Sequence, residues 1–315
     1  MAMQLRILDL DGSLAQQTGW VERYQPSISA ARDWGPAIRL ACSFKRFRRF
    51  EQKLATLLPA ANGQAPALTF YGSGDFHHVS LALVRRLTVP VNLLVFDNHP
   101  DWMRGVPLLH CGTWLYHAAC LPMVHRIFHV GGDVDFDNFY RWMAPWQMLR
   151  SGKIVVFPGR RRFLRGAWSA VSNEPVRPEE GTPIRSGRAE ELLDRYRTEL
   201  ARRPLYISLD KDVLVEQESV VNWDSGHLTL AEVNTILHAF LAAANANLAG
   251  IDVTGDWSTV QVHGALRQVL HTTEHPAHVI DPNRARLRNQ QTNIELVDMV
   301  QAALAASRSR PVMVA

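Results

Sequence analysis

Two stretches of sequence decide the fold: VNLLVFDNHPD at residues 91–101 and LYISLDKD at residues 205–212. Each begins with a short apolar run of the kind that forms a buried strand in a parallel sheet. Each ends in closely spaced polar residues, and alternate side chains of an extended chain point the same way. The side chains aligned in this manner are Asp97, His99 and Asp101 in the first stretch and Asp210 and Asp212 in the second.

The two acidic tails predict a metal centre. Open α/β sheets place their sites at the carboxyl ends of strands, so four carboxylates and one imidazole are expected to meet there. Clustered anions repel and raise one another's pKa. Two divalent cations would balance the four charges, and the pattern therefore predicts a binuclear site.

The rest of the chain alternates between apolar runs and helix-like stretches, which indicates a parallel sheet covered by helices on both faces. The predicted strands are residues 5–10, 67–71, 91–96, 126–130, 154–157, 205–209 and 248–253. The predicted helices are residues 44–58, 79–87, 113–119, 189–202, 230–244 and 292–306. Six strands run into Gly- or Asp-rich tails, which favours one cleft at the carboxyl edge of the sheet.

Length and composition fit one α/β unit. The 315 residues are 47% hydrophobic, enough to bury a substantial core. No long linker or internal repeat interrupts the chain, and residues 173–187 are interpreted as a long loop rather than a boundary. We therefore expect a single domain over residues 1–315, since α/β proteins of this size are often one unit.

The sequence favours a cytoplasmic protein. No apolar stretch approaches the ~18–20 residues that span a bilayer, and the N-terminus lacks the layout of a secretory signal. Three cysteines, Cys42, Cys111 and Cys120, form no disulfide framework. This fits a reducing compartment without a membrane partner.

The net charge of +4 does not by itself indicate a nucleic-acid partner. Basic clusters occur at residues 45–49 (KRFRR) and 160–165 (RRRFLR), but no nucleic-acid-binding module accompanies them. They are interpreted as a solvated helix face and a basic loop. The expected partner is a small-molecule substrate, and the sequence leaves a homo-oligomer open.

The paired segments DNHPD and SLDKD resemble two motifs of the ureohydrolase family, which comprises arginases, agmatinases and formiminoglutamases. Its members carry DAHxD and SxDxD segments at the ends of two parallel strands, and Ser208 also matches. A third family motif, a Gly-Gly-(Asp/Glu)-His turn that opens a helix, resembles residues 74–78, with His77 in the ligand position and His78 as the alternative. The resemblance covers about residues 70–260 and implies an arginase-like, three-layer αβα fold with a parallel sheet of about eight strands.

The resemblance also implies the ligands of two metal ions that share two bridging carboxylates. One ion would be held by His77, Asp97, Asp101 and Asp210, and the other by Asp97, His99, Asp210 and Asp212. The family metal is usually manganese. Mixed imidazole and carboxylate ligands also suit Zn²⁺, Fe²⁺ or Ni²⁺.

Three further positions resemble family residues that handle substrate. His110 corresponds to a His-Gly pair that helps to move protons, and Asp135 to an acid that binds a substrate amine in arginases. Members that act on guanidines place a Glu after the final strand. Here Gly255 takes that place, and Asp256, one residue on, is the candidate acid for binding substrate.

The resemblance implies hydrolysis of a non-peptide C–N bond in a guanidino, formimino or amide compound. Two cations would lower the pKa of a shared water, and the resulting hydroxide would attack the trigonal carbon. Asp101 would carry the proton to the leaving nitrogen, with His110 assisting. Trp102 and Met103 replace small polar residues beside Asp101, so we expect a bulkier and more apolar wall.

Three other functions stay open. A deacetylase-like amide hydrolase of the same fold would use a single zinc ion. A non-catalytic member could keep the metal ligands while Gly255 removes substrate recognition. An aspartyl phosphatase would use Asp9 in residues 8–14 (LDLDGSL), but such enzymes need a Lys between their two acidic motifs, and none lies between Lys53 and Lys153.

One more pattern concerns residues 271–275, HTTEH, which formally match an inverted zincin motif. That motif needs a helix to bring both histidines to one face. Two threonines and the following Pro276 disfavour helical geometry, so the segment is predicted to be a loop.

Overall fold

The computed structural model describes residues 3–59, 66–132, 139–158, 193–262, 264–275 and 280–309. The strands are β1 (Gln4–Asp9), β2 (Ser27–Ala30), β3 (Ala41–Cys42), β4 (Ala67–Phe70), β5 (Val91–Asp97), β6 (Leu109–His110), β7 (Val124–Gly131), β8 (Ile154–Phe157), β9 (Leu205–Asp210) and β10 (Leu248–Thr254). The α-helices are Thr18–Tyr24, Gly35–Ile38, Phe44–Leu57, Val79–Val84, Trp114–Ala119, Trp146–Arg150, Arg197–Arg202, Leu230–Ala243, Ala265–Glu274 and Pro282–Ser309.

Eight strands form one sheet in the order β2-β1-β4-β10-β9-β5-β7-β8, and every neighbouring pair is parallel. Strands β3 and β6 pair separately as a short antiparallel ribbon. Helices flank the large sheet, so the expected three-layer αβα architecture with about eight parallel strands is confirmed.

The alternation of side chains along β5 shows how the sheet is covered. All seven residues of this central strand are buried. Leu94 and Phe96 belong to one apolar cluster, whereas Leu93 and Val95 belong to another. The strand therefore contributes to an apolar core on each face, as a parallel sheet between helical layers requires.

All seven predicted strands are present, and each begins and ends within two residues of its predicted bounds. The sequence did not reveal β2, which forms one edge of the sheet. Its four residues are largely exposed, and Ile28 is a single apolar side chain without the run that marks a buried strand. Exposed edge strands carry little hydrophobic signal.

Two long helices show why helix ends are harder to predict. Helix Leu230–Ala243 starts at a capping box, in which Thr229 and Glu232 satisfy each other's backbone N–H groups. Helix Pro282–Ser309 begins ten residues before the predicted start at residue 292. Its first part is polar and lacks the apolar period that predicts a helix. Asn289 in this part is buried by hydrogen bonds to the backbone of Val220.

The prediction of a loop at residues 271–275 is wrong. Helix Ala265–Glu274 runs through this segment, and the backbone N–H of His275 still donates to the carbonyl of His271. Pro276 restricts only the residue directly before it. His275 accordingly adopts an extended conformation, with φ −88° and ψ 136°, and ends the helix there.

Several predicted features lie outside the described residues: the basic cluster at 160–165, the loop at 173–187 and the beginning of the helix at 189–202, which is seen as Arg197–Arg202. Within the described ranges, no helix is both long enough and apolar enough to cross a membrane.

Candidate metal centre

The topology places the two acidic tails side by side. Strands β5 and β9 are neighbours, and their register pairs Phe96 with Leu209. Asp97 and Asp210 therefore leave the same edge of the sheet on adjacent strands. A short 3₁₀ turn follows β9, and the Asp210 carboxylate accepts a hydrogen bond from the backbone N–H of Asp212 at 3.0 Å.

Three carboxylates converge on one nitrogen of His77. Its Nδ1 lies 2.9 Å from Asp101 Oδ2, 3.1 Å from Asp97 Oδ2 and 3.5 Å from Asp210 Oδ2. Trp114 Nε1 donates to Asp101 Oδ2 at 2.9 Å and fixes this carboxylate. Potential ligand atoms of His77, Asp97 and Asp101 all lie within 4.8 Å of one another, which is close enough to hold one metal ion.

A second group shares Asp97 with the first. His99 Nδ1 lies 2.7 Å from Asp212 Oδ2, while the backbone N–H of Asn98 donates to Asp212 Oδ1 at 2.9 Å. Potential ligand atoms of Asp97, His99 and Asp212 also lie within 4.8 Å of one another. The two groups contain five of the six residues implied as metal ligands and share Asp97. The sixth, Asp210, lies beside the first group, with Oδ2 3.5 Å from His77 Nδ1.

Burial makes this cluster electrostatically unbalanced. Loss of solvent raises the pKa of Asp97 well above its usual value, and Asp101 and Asp212 raise it further. Burial followed by repulsion from Asp212 raises the pKa of Asp210 to about 8. At Asp212 burial also favours the neutral form, but hydrogen bonds from His99 and Asn98 outweigh it and lower the pKa. A cation between the carboxylates would remove the repulsion.

The hydrogen bonds of His77 test whether a metal fits. Ser208 Oγ donates to Asp252 at 2.7 Å, so it accepts the Nε2–H of His77, 3.0 Å away. In the neutral ring, Nδ1 then carries a lone pair that faces the carboxylate oxygens. Without a cation this nitrogen must hold a proton, and although burial lowers its pKa, Asp101 and Asp97 raise it well above the usual value. A divalent ion can take the place of that proton.

Asp101 stands out because its backbone lies in the left-handed region, with φ 51°. Non-glycine residues seldom adopt this conformation, although Asp tolerates it better than most. The carbonyl of Asp101 accepts from the backbone N–H of Leu115 at 2.9 Å, and its side chain accepts from Trp114. These contacts hold an unfavourable conformation that aims the carboxylate at His77.

The carboxylates lie at the bottom of a cleft of about 260 Å³. His110 lines it, and its Nδ1 accepts from the backbone N–H of Gly112 at 2.9 Å. Cys111, which follows His110 in the sequence, does not displace this imidazole from the cleft. Met103 lines the cleft as expected, whereas Trp102 is buried edge-on against His129 with ring centroids 5.5 Å apart. The expectation that Trp102 would form part of the wall is wrong.

Asp256, the predicted substrate-binding acid, lies elsewhere and is only 1% exposed. Its Oδ2 is 2.7 Å from Lys211 Nζ, and its Oδ1 accepts from Gln17 at 2.7 Å. The carboxylate is thus used within the protein. Gly255 is the residue that borders the metal cluster: it has φ +95°, and a Cβ there would lie 2.4 Å from Asp210 Oδ1.

The remaining sequence candidates are placed as follows. His78 is buried beside the Phe47 ring, away from the carboxylates, and burial lowers its pKa to about 3. His77, not His78, therefore faces the cluster. Asp135 lies outside the described residues. Asp9 accepts from the backbone N–H of Gly12 at 2.8 Å and pairs with an arginine, as in an ordinary turn after a strand.

Sequence reasoning missed His129, which is fully buried near the cluster. Burial lowers its pKa to about 4. The register pairs Val95 with His129 and Asp97 with Gly131, so His129 lies on the same face as Asp97. Counting alternate residues back from the strand end could have revealed it. Cleft residues from distant parts of the chain carried no such signal: Tyr140 in a 3₁₀ helix, and Trp223 and Asp224 in a loop.

Comparison with known proteins defines the class of the fold. No family model matches the chain. An uncharacterized protein of Thermotoga maritima is 24% identical over 208 residues, which span 65% of this chain and 62% of that protein. The alignment thus covers less than two thirds of that relative.

Solved structures resemble the chain along nearly its whole length. A hypothetical agmatinase from Burkholderia thailandensis is similar with a TM-score of 0.54 and 15% identity, covering 97% of this chain and 88% of that one. Formimidoylglutamase from Bacillus subtilis gives 0.54 and 13%, covering 98% and 88%. Arginase from Bacillus subtilis gives 0.53 and 9%, covering 98% and 100%.

These similarities define the fold, and at such low identity they define nothing finer. The chain has the arginase-like αβα fold and is a divergent example of it. The resemblance found in the sequence motifs is confirmed at this level. Its fold neighbours include hydrolases that act on C–N bonds, and the Asp and His groups described above provide a place for metal.

Proposed function

We propose that this protein is a hydrolase that binds two divalent metal ions, with Mn²⁺ as the expected metal, and cleaves a non-peptide C–N bond in a guanidino, formimino or amide compound. One observation carries the proposal. Four buried carboxylates and two imidazoles converge at one edge of the sheet, and no Lys or Arg of the described residues pairs with these carboxylates.

The buried Lys and Arg side chains near the cluster pair with other carboxylates, which supports the need for bound metal. Lys211 follows Asp210 directly, yet its ammonium group lies against Asp256. Arg39 is equally buried and pairs with Asp75 at 2.6 Å. Metal ions bound by the cluster would supply Lewis acidity and lower the pKa of a water molecule.

The protein's own groups provide orientation and proton transfer. Trp114 fixes one oxygen of Asp101, so this carboxylate is held in place to accept a proton at the bottom of the cleft. His110 accepts from Gly112 at Nδ1, and in the neutral ring its proton is therefore on Nε2. That tautomer can donate a hydrogen bond to the leaving nitrogen, while Asp101 delivers to this nitrogen the proton that it has accepted.

The cleft favours a substrate unlike that of guanidine-cleaving members. Gly255 supplies no carboxylate, and the nearby Asp256 is neutralised by Lys211. Met103, Tyr140 and Trp223 line the cleft instead. We infer that its substrate is held by apolar and aromatic contact in addition to the metal centre, and that formimino and amide compounds should be assayed alongside guanidines.

The proposal is tested with Asp210→Asn, which removes one charge and preserves shape. With Mn²⁺ as the probe, we expect two bound ions per chain in the wild type, loss of Mn²⁺ from the variant and loss of turnover on a panel scored for urea, ammonia or formamide. Asp298→Asn is the control, because this exposed carboxylate pairs with Arg23 on the surface.

Each other outcome contradicts the proposal in a specific way. Unchanged turnover in Asp210→Asn excludes this centre. One metal per chain supports a single-zinc amide hydrolase. Two metals without product from any compound of the panel support a non-catalytic metal-binding protein.

A further inference from the structure

A second group of metal-binding side chains lies outside the acidic cluster, at the end of helix Ala265–Glu274. His271 and His275 are four residues apart, so they meet on one face of the last turn. Their rings are 4.4 Å apart between centroids, and Nδ1 of one ring contacts Nδ1 of the other. This places two nitrogen ligands together without the carboxylates of the cleft.

The tautomer of His275 is set by a buried carboxylate. Asp75 Oδ1 lies 2.7 Å from His275 Nε2 and also accepts from Trp223 Nε1 at 3.0 Å. Its other oxygen, Oδ2, forms a buried ion pair with Arg39 Nε at 2.6 Å, as an ionised carboxylate does. An ionised carboxylate accepts hydrogen bonds only, so His275 carries its proton on Nε2 and presents a lone pair at Nδ1.

The arrangement is the one found around protein-bound zinc, where a ligating histidine donates its other N–H to a carboxylate. The second ring is also suited to binding metal: burial, followed by repulsion from His275, lowers the pKa of His271, which favours the neutral form. Neutral imidazole is the form that binds a metal ion.

We propose that His271 and His275 form a binding site for one borderline divalent transition metal such as Zn²⁺ or Cu²⁺, with Asp75 orienting the second ligand. This inference goes beyond the proposed hydrolase function and does not depend on it. The two nitrogens supply part of the coordination, and water supplies the rest. Imidazole ligands favour these ions over Mg²⁺ or Ca²⁺.

Trp223, which lines the cleft, connects this site to the acidic cluster. The ring of Trp223 packs on His275, with centroids 4.7 Å apart, and on His99, with centroids 5.5 Å apart. Trp223 therefore contacts a member of each group. Metal at the histidine pair would hold the end of helix Ala265–Glu274 against the loop that lines the cleft.

The test is a Zn²⁺ titration of chelator-treated protein by calorimetry, comparing the wild type with His271→Ala. His271 is half-buried, and its removal leaves the contact between Asp75 and His275 in place. We expect the variant to bind one Zn²⁺ fewer. Thr272→Ala is the matched control, because it changes an exposed residue of the same turn and should bind as the wild type does.

Two further variants separate this site from the acidic cluster. Asp210→Asn should lose the ions of the cluster and retain the one at the histidine pair. Asp75→Asn should weaken the histidine site by about 10- to 100-fold, as expected when the partner of a ligating histidine is removed. With Cu²⁺ as the probe, two bound nitrogens should be visible in the electron paramagnetic resonance spectrum of Asp210→Asn.

The result that overturns the proposal is equal Zn²⁺ stoichiometry and affinity in His271→Ala and Thr272→Ala. The two rings would then share a proton rather than a metal ion. Because the comparison rests on two variants of the same helical turn, it remains decisive even if Asp75→Asn fails to fold.

Discussion

The residues at the carboxyl end of β9 contribute to two buried clusters of opposite character. Asp210 and Asp212 join the group around His77, in which carboxylates outnumber fixed cations. Lys211, between them, points away and meets Asp256 at 2.7 Å. Lys211 and Asp256 balance each other's charge and form the balanced cluster. The carboxylates around His77 exceed the cations that the protein supplies and form the unbalanced cluster.

The balanced cluster has a partner for each polar group. Lys211 Nζ also donates to Asn293 at 3.0 Å, and Asn293 donates to Gln17 at 2.8 Å, which in turn donates to Asp256. Such a network joins β9, the segment after β10 and helix Pro282–Ser309. Burial of charge alone therefore does not mark a functional site. An unbalanced set of charges does.

The largest effect is expected on breaking the balanced cluster. Lys211→Met keeps an unbranched side chain one atom shorter than lysine and leaves the Asp256 carboxylate buried without its cation. We expect the free energy of unfolding to fall by about 3–5 kcal/mol, measured by urea denaturation.

The control for this variant is Arg23→Met, which removes an exposed ion pair with Asp298. Exposed pairs contribute about 0–1 kcal/mol, so this change should have little effect. If the two variants are equally stable, the Lys211 network is not a structural element.

A smaller effect is expected from crowding the unbalanced cluster. In Gly255→Ala the new Cβ would lie 2.4 Å from Asp210 Oδ1, and the residue would also retain φ +95°. We expect destabilisation of about 1–3 kcal/mol from the collision, in addition to the backbone cost. Metal affinity should fall as well, because Asp210 must move.

Gly264→Ala is the matched control, since Gly264 has φ +101° but no described atom within 4 Å of the point where a Cβ would lie. We expect this variant to lose only the stability that a positive φ costs an alanine. Equal losses of stability in the two variants, measured by thermal unfolding, would contradict close packing of Gly255 against the metal cluster.

The smallest expected effect is the change in the free energy of unfolding of the metal-free protein per unit of pH. Burial and Asp212 raise the pKa of Asp210 to about 8 in the folded state, against an ordinary value of 3.8. Between these values the unfolded chain binds fewer protons than the folded one. Stability therefore falls as the pH rises, by about 1.4 kcal/mol per unit for this group.

Asp210→Asn removes this titration. The unfolding free energies of wild type and variant are measured in chelator at pH 5, 6 and 7. We expect the wild-type value to fall relative to that of the variant at each step. Parallel curves would mean that Asp210 is ionised throughout, contrary to the electrostatics of the cluster.

Much of the fold followed from local patterns because buried strands carry a strong apolar signal. The seven predicted strands are all present, whereas the exposed strand β2 was missed for lack of that signal. The loop predicted at HTTEH was wrong because Pro276 ended the helix only after His275. The helix-breaking residue was identified correctly, but its effect was expected to extend over more residues than it does.

The candidate site divides in the same way. Residues within the two strand tails were predicted together, since their spacing and strand order determine where they meet. Asp256 was misjudged because its partner Lys211 lies 45 positions earlier in the sequence and is brought to it by strand pairing. Trp223 reaches the cleft from a loop and Tyr140 from a short 3₁₀ helix, and no local pattern encodes the position of either segment.

The left-handed backbone of Asp101 has a consequence for protein engineering. Glycine adopts φ 51° without steric penalty, so a library at this position selected for thermal tolerance alone should enrich glycine. The same library selected for metal binding should return aspartate, because glycine lacks the carboxylate that Trp114 fixes toward His77. At this residue, selection for thermal tolerance favours glycine, whereas selection for a carboxylate that faces His77 favours aspartate.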